Sequence, residues 1–408
     1  MPWISDKCVR TSNVVSFLFM KEMRFYQVSS MQNMKFIESL VRLTPNLQQL
    51  FIEMLDPFTD PEAYEVIDSM ECNLHYLIGI LPFLAGLHRL HSIGLQKINF
   101  NHCKDELPTL IAKIRPERLT QLELLDCFGL VNFLKEIPAT AFTSLRRLHI
   151  RHFNDHYPNT TNDWIQNLFL QIPPQLTDIF LILNSSIDLS SLLRHFGNLT
   201  TFVYDILPAP SRIYYQQLGS RKGVETFSKL SRYFHHMEKI QELGLTIDHS
   251  LFDEHNLEND AALKPIRALK TLKLFQLRNH RHNSYTWPIS DFYMGAMREQ
   301  SEWLYRGLLH EDAEKIASYL PSPNFILFGY NVPYQLTLNT YADLDERKFL
   351  NRILPAIYRV TKSTGFVSQV LPTRDEMGFN LRNRITDNTF FVNNWDDLGF
   401  VLPSVGVF

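Results

Sequence analysis

An α/β solenoid with a parallel concave sheet and convex helices is the fold class the sequence predicts, on three observations. The stretch Leu119 to Cys127 carries Leu119, Leu122 and Leu124 at the spacing L-x-x-L-x-L, with Cys127 three residues beyond the last leucine. The spacing returns at Leu47-Leu50-Ile52, Leu90-Ile93-Leu95, Leu145-Leu148-Ile150, Leu176-Ile179-Leu181, Leu199-Phe202-Tyr204, Ile240-Leu243-Leu245 and Leu269-Leu272-Leu274, making eight units in tandem. Between units, apolar residues recur at three- and four-residue steps and stop at a breaker, which is how a helix with one buried stripe reads.

The first two observations together form the leucine-rich-repeat signature, in which Asn or Cys follows the last leucine as Cys127 does here. Alternate side chains of a strand point to opposite faces, so Leu122 and Leu124 go inward while Gln121, Glu123 and Leu125 go outward. One unit cannot bury its leucines; stacked units can, because each covers the next. Unit starts are separated by 43, 29, 26, 31, 23, 41 and 29 residues, a period of roughly 20 to 29 broken by two insertions.

Residues 1–45 read as an N-terminal cap region, with Val15, Leu18 and Met20 as a degraded first strand. Met31, Met34, Ile37, Leu40 and Val41 then mark a helix that stops before Pro45. The solenoid occupies 46–280. Within it Leu107, Leu110, Ile111 and Ile114 run into Pro116. Trp164, Ile165, Leu168 and Phe169 run into Pro173, and Leu189, Leu192, Leu193 and Phe196 into Gly197. The insertion from Asp56 to Leu74 is proline-bearing and acidic, a surface excursion. The second, Pro208 to Lys239, is basic with Tyr214 and Tyr215; it reads as an anion-contacting loop or as a solvated loop leading into the helix Val224, Phe227, Leu230, Phe234. Residues 281–408 lose the signature and read as an α+β capping region. It has a helix through Ala313, Ile316, Ala317 and Leu320, and short strands around Phe325, Leu327, Leu336 and Leu338.

A chain of 408 residues, 45% hydrophobic and 20% charged, is ordinary for a folded domain, and a net charge of −3 argues for neither nucleic acid nor an anionic membrane surface. Cys8, Cys72, Cys103 and Cys127 form no C-x-x-C pair, so neither a zinc site nor a disulfide framework is expected, and a reducing cytoplasmic or nuclear setting fits. The apolar run Val14 to Met20 is a poor secretion signal, and no stretch reaches transmembrane length.

Function is expected on the outward side chains, where Phe51, Glu123, Leu125, Arg147, His149, Arg151, Asp178, Phe180, Ile182 and Phe275 are the candidate partner-binding residues. Aromatic residues and arginine dominate binding energy when a partner desolvates them, often at about 2 kcal/mol or more. The alternative is that another segment folds over this face. His149, His152 and His156 with Asp155 lack tetrahedral spacing and read as a surface turn, so no metal is expected, nor any cofactor. No H-E-x-x-H, G-x-S-x-G, Walker loop or dinucleotide glycine fingerprint is present.

The irregular units T-P-N-L-Q-Q-L-F-I at 44–52, F-T-S-L-R-R-L-H-I at 142–150 and I-R-A-L-K-T-L-K-L at 266–274 resemble the leucine-rich-repeat proteins of fungi, many of which are F-box proteins. The resemblance spans about residues 31–280. It implies repeats that recognise a substrate while an N-terminal F-box docks a Skp-type adaptor of a cullin ubiquitin ligase. Residues 1–30 show no Leu-Pro-x-Glu-Ile-like helix, so an adaptor is expected only if an F-box was lost by truncation. The expected function is therefore a non-catalytic scaffold that binds a protein on its concave face. The other class is a hydrolase-like enzyme with its site in 281–408 or in the loop holding Asp253, Glu254 and His255.

Overall fold

One backbone contact recurs at the start of the strands: a single carbonyl oxygen accepts two successive amides of the next unit. The Lys21 oxygen takes Gln48 and Gln49 at 2.8 and 3.0 Å, that of Gln48 takes His91 and Ser92, that of His91 takes Thr120 and Gln121, and that of Thr120 takes Arg146 and Arg147. The turn before each strand thereby locks onto its predecessor, so the register of one unit fixes the next.

The computed structural model describes residues 19–28, 31–54, 87–101, 107–138, 141–152, 158–183, 185–206, 227–246, 263–278, 307, 309–320, 325–328, 356–360 and 367–370. The chain divides into two compact units, Met1–Pro173 and Pro174–Phe408. In the first, β1 (Glu22–Val28), β2 (Gln49–Met54), β3 (Ser92–Gln96), β4 (Gln121–Leu125) and β5 (Arg147–His152) pair in parallel in chain order. Helices α1 (Met31–Arg42), α2 (Leu107–Ile114), α3 (Leu130–Lys135) and α4 (Pro158–Gln171) lie between or after these strands. The four apolar residues expected on α2 are all buried, and Ile37 and Val41 are the buried stripe of α1.

The inward row runs Leu50, Ile93, Leu122, Leu148 and beside it Ile52, Leu95, Leu124, Ile150, directly paired from strand to strand. All eight are at most 4% exposed. Each such side chain contributes about 1.5–3 kcal/mol by leaving water, which makes this ladder the core of the unit.

In the second unit β6 (Asp178–Leu183), β7 (Thr201–Ile206), β8 (Glu242–Thr246), β9 (Leu274–Arg278) and β10 (Phe325–Phe328) are parallel, while β11 (Ala356–Val360) and β12 (Val367–Val370) continue antiparallel. The same double acceptance recurs at Thr177, Thr200 and Gln241. Residues 309–319 are helical, with Leu309, Ala313 and Ile316 buried and Leu320 buried just after, and residues 227–231 are helical with Phe227 and Leu230 buried. Both units are thus open sequential sheets flanked by short helices, parallel throughout in the first and parallel up to β10 in the second.

Three expectations are corrected. The first strand is Glu22–Val28, in which Met23 and Phe25 pair with Leu50 and Ile52; Met20-Met23-Phe25 is a repeat without a single leucine. Val15 and Leu18 lie outside the described residues. Leu193 is 43% exposed, because the 3-10 turn Leu189–Leu192 advances by three residues per turn and rotates Leu193 out before α5 (Leu193–Phe196) begins.

The third correction is the phase of the last repeat. Leu243 pairs with Phe275 and Leu245 with Leu277, so the unit reads Leu272-Phe275-Leu277 and not Leu269-Leu272-Leu274. The Gln241 oxygen takes Lys273 and Leu274, as its counterparts take the residues before and at each strand start. Leu269 closes the 3-10 turn Lys264–Ala268 instead. A three-residue slip is odd, so it exchanges faces: Phe275 is an inward residue.

Candidate functional site

The outward face of the first unit carries three rows. The first is Glu22, Gln49, Ser92, Gln121 and Arg147; the second Arg24, Phe51, Gly94, Glu123 and His149; the third Glu53, Gln96, Leu125 and Arg151. Across β1 to β4 the first two rows enclose a cleft lined by Glu22, Arg24, Gln49, Phe51, Ser92, Gly94, Gln121 and Glu123.

Glycine at 94 makes the cleft floor possible. A Cβ there would sit 2.3 Å from Phe51 Cδ2, so the phenyl ring occupies the space a side chain on β3 would need. On its other side the ring meets Tyr26, with centroids 5.6 Å apart, and the Arg24 guanidinium carbon lies 5.8 Å from its centroid. Arg24 Nε donates to Glu22 Oε1 at 2.5 Å. Burial works against the Arg24 charge, but the bonds to Glu22 and Tyr26 outweigh it and raise its pKa.

Glu123 forms the other wall. It is 4% exposed, and its Oε1 accepts from Gln121 Nε2 at 2.5 Å. Burial pushes its carboxyl up, and the positive charge of Arg24 and the Gln121 bond oppose that without cancelling it. A carboxyl held this way favours a hydrogen-bond donor or a cation from a partner.

Above the cleft, the strand ends turn through left-handed residues. Lys97 and Asp126 follow β3 and β4 with φ of 57° and 52°, and their amides donate to the Leu125 and Arg151 oxygens. The side chains swing onto the neighbouring strands. Lys97 Nζ reaches Glu53 Oε1 at 3.0 Å, joined there by Gln96 Nε2, while Asp126 Oδ2 takes Arg151 Nε and Nη2 at 2.8 and 2.6 Å. Cys127 then buries its thiol against the Leu95 oxygen at 3.3 Å, and burial pushes its pKa up to about 12.

In the second unit Asp178, Phe180 and Ile182 stand on the outward rows with Thr201, Val203 and Asp205, then Glu242 and Gly244, then Gln276. Gly244 again leaves room, here for Val203 Cγ2 and Gln276 Oε1, each 3.1 Å from where a Cβ would be. The Gln276 amide is fully buried and makes no hydrogen bond.

Phe51, Glu123, Leu125, His149, Arg151, Asp178, Phe180 and Ile182 are outward as expected, yet all are buried, at no more than 8% exposure. Among the ten candidate residues Arg147 alone is half-buried, and Phe275 stands on the inward row. His149 and His152 are buried strand residues and not part of a surface turn, while Asp155 and His156 lie outside the described residues. No group of three metal-ligating side chains occurs among the described residues. The loop with Asp253, Glu254 and His255 is outside them. Sequence reading missed Arg24, Tyr26 and Glu22, because the leucine-free first repeat gave no strand to place them on. No helix among the described residues is long and apolar enough to cross a membrane.

No family model matches the chain, and no curated protein matches it either. Among solved structures, a leucine-rich-repeat-containing protein, LegL7 of Legionella pneumophila, aligns over 80% of this chain and 97% of its own at 14% identity and a TM-score of 0.39. The yeast Rad7–Elc1 complex aligns over 67% of this chain and 80% of that one, at 14% identity and a TM-score of 0.29. A TLR13–ssRNA13 complex aligns over 59% and 30%, at 14% identity and a TM-score of 0.25. At such scores the fold rests on the strand pairing alone.

Proposed function

We propose that the chain is a non-catalytic leucine-rich-repeat scaffold that takes a protein partner on the outward face of its sheets. The observation that carries this reading is the cleft of β1 to β4: arginine and two aromatic rings, the residue types that anchor interfaces, lie in contact beside a buried carboxyl. Half-buried Gln49, Gln121 and Arg147 form the rim that a partner meets first, with Phe51, Glu123, Leu125, His149 and Arg151 as its floor. Asp178, Phe180 and Ile182 are the corresponding floor in the second unit.

The finer reading is substrate recognition for a cullin ubiquitin ligase, with a Skp-type adaptor bound through a part of the protein other than the repeats. Its support is the repeat resemblance. The test is affinity purification of the tagged full chain from its own cells beside an Arg147→Glu, Gln121→Glu variant whose melting is unchanged. Partners lost from the variant alone support recognition on this face, and an adaptor retained by both supports ligase membership. Identical partners in both samples sink the outward-face reading.

A further inference from the structure

Four of the six large apolar side chains exposed among the described residues, Phe19, Met20, Tyr26 and Phe36, belong to the first strand–helix unit. Phe19, Met20 and Tyr26 lie in or just before β1, a strand with one unpaired edge among the described residues. β1 pairs with β2 on one side and, among the described residues, with nothing on the other. The Lys21 oxygen faces β2, and backbone groups alternate sides along a strand, so those of Glu22 and Arg24 face the open edge, ahead of the bulge between Phe25 and Val28. An open edge with apolar neighbours is a template for another strand.

Charge selects which strand. We infer that the open edge of β1 pairs antiparallel with β1 of a second copy of this chain, about a two-fold axis at Met23. That register sets Glu22 opposite Arg24 of the second copy and Met20 opposite its Tyr26, each twice. Glu22 and Arg24 have edge-facing backbones, so they form the hydrogen-bonded pairs of the new ladder. Glu22 and Arg24 already meet within one strand at 2.5 Å, so four charges alternate in sign around a square. A two-fold axis at Arg24 would oppose like charges, and one at Phe25 would leave Glu22 opposite Val28 with no charge pair. The Met23 register also covers Met20 and Tyr26, which are 38% and 50% exposed.

The test is sedimentation velocity of the full chain between about 1 and 100 μM, the range in which modest interfaces assemble. Wild type is expected to double its mass across that range. Glu22→Arg and Arg24→Glu each oppose like charges and stay monomeric. An equimolar mixture of the two dimerises, because every cross-chain pair is then of opposite sign, and the Glu22→Arg, Arg24→Glu double variant dimerises by itself. Misfolded single variants would not recover on mixing. A wild type monomeric throughout overturns the inference, whatever other protein binds the edge, and so does a dimer that both single variants keep.

Discussion

Arg151 holds Asp126 by one oxygen: Nε at 2.8 Å and Nη2 at 2.6 Å both meet Oδ2, with the two side chains 9% and 8% exposed, while Oδ1 has no hydrogen-bond partner. Asp126 reaches that position only because its backbone is left-handed at the end of β4. Arg151→Ala strands a buried carboxylate and is expected to cost about 3–5 kcal/mol, whereas Asp126→Asn combined with Arg151→Met costs much less because no charge is left alone. Urea titration of the three proteins checks this. Equal losses in the single and double variants would mean that the pair has no coupling.

Gly94 is held by its neighbour's ring and not by its own backbone. A Cβ only 2.3 Å from Phe51 Cδ2 requires the phenyl to move if any side chain is added. Gly94→Ala is expected to destabilise by about 1–3 kcal/mol, the usual cost of overpacking, and Phe51→Leu in that background recovers part of it. Thermal melts of the two variants and the double suffice. Additive losses would contradict the contact.

The phase of the last repeat is equally open to mutation. With Phe275 and Leu277 inward and fully buried, Phe275→Ala is expected to cost about 3–5 kcal/mol and Leu277→Ala about 2–5 kcal/mol. In the earlier phase Leu277 would lie beyond the paired strand and its truncation would be mild. Lys273→Ala, an exposed change just before β9, stays within about 0.5 kcal/mol. A mild Leu277→Ala would restore the sequence phase.

That slip shows what the sequence could and could not reveal. Leucines at 269, 272 and 274 and apolar residues at 272, 275 and 277 satisfy the same spacing, and only the carbonyl of Gln241, a long-range partner, chooses between them. The other seven strands all stand where the spacing put them. Cys127, read as the residue after the last leucine, buries its thiol on a strand carbonyl. The first repeat was illegible because methionine and phenylalanine replaced its leucines. In those seven units the face a side chain took was legible too; its burial was not, since Phe51 lies over a glycine 43 positions away, as Gln96 reaches Glu53 across the same distance.

Glu123 makes the outward face pH-sensitive. Burial raises its carboxyl above the unfolded value of 4.5, with Arg24 the strongest opposing charge and Glu22 and Arg151 contributing smaller effects of opposite sign. The folded chain therefore holds the proton more tightly than the unfolded chain, so stability from this group is present below pH 4.5 and declines as pH rises through the folded pKa. Glu123→Gln mimics the protonated form and still accepts from Gln121. Its stability relative to wild type is expected to be near zero at low pH and to rise steadily towards neutrality, then level off once the wild-type carboxyl is ionised in both states. Urea midpoints of both proteins, measured at matched ionic strength across that range, give the difference directly. A difference that does not change with pH, or that changes in the opposite direction, would show that Arg24 and Gln121 overcome the burial of Glu123.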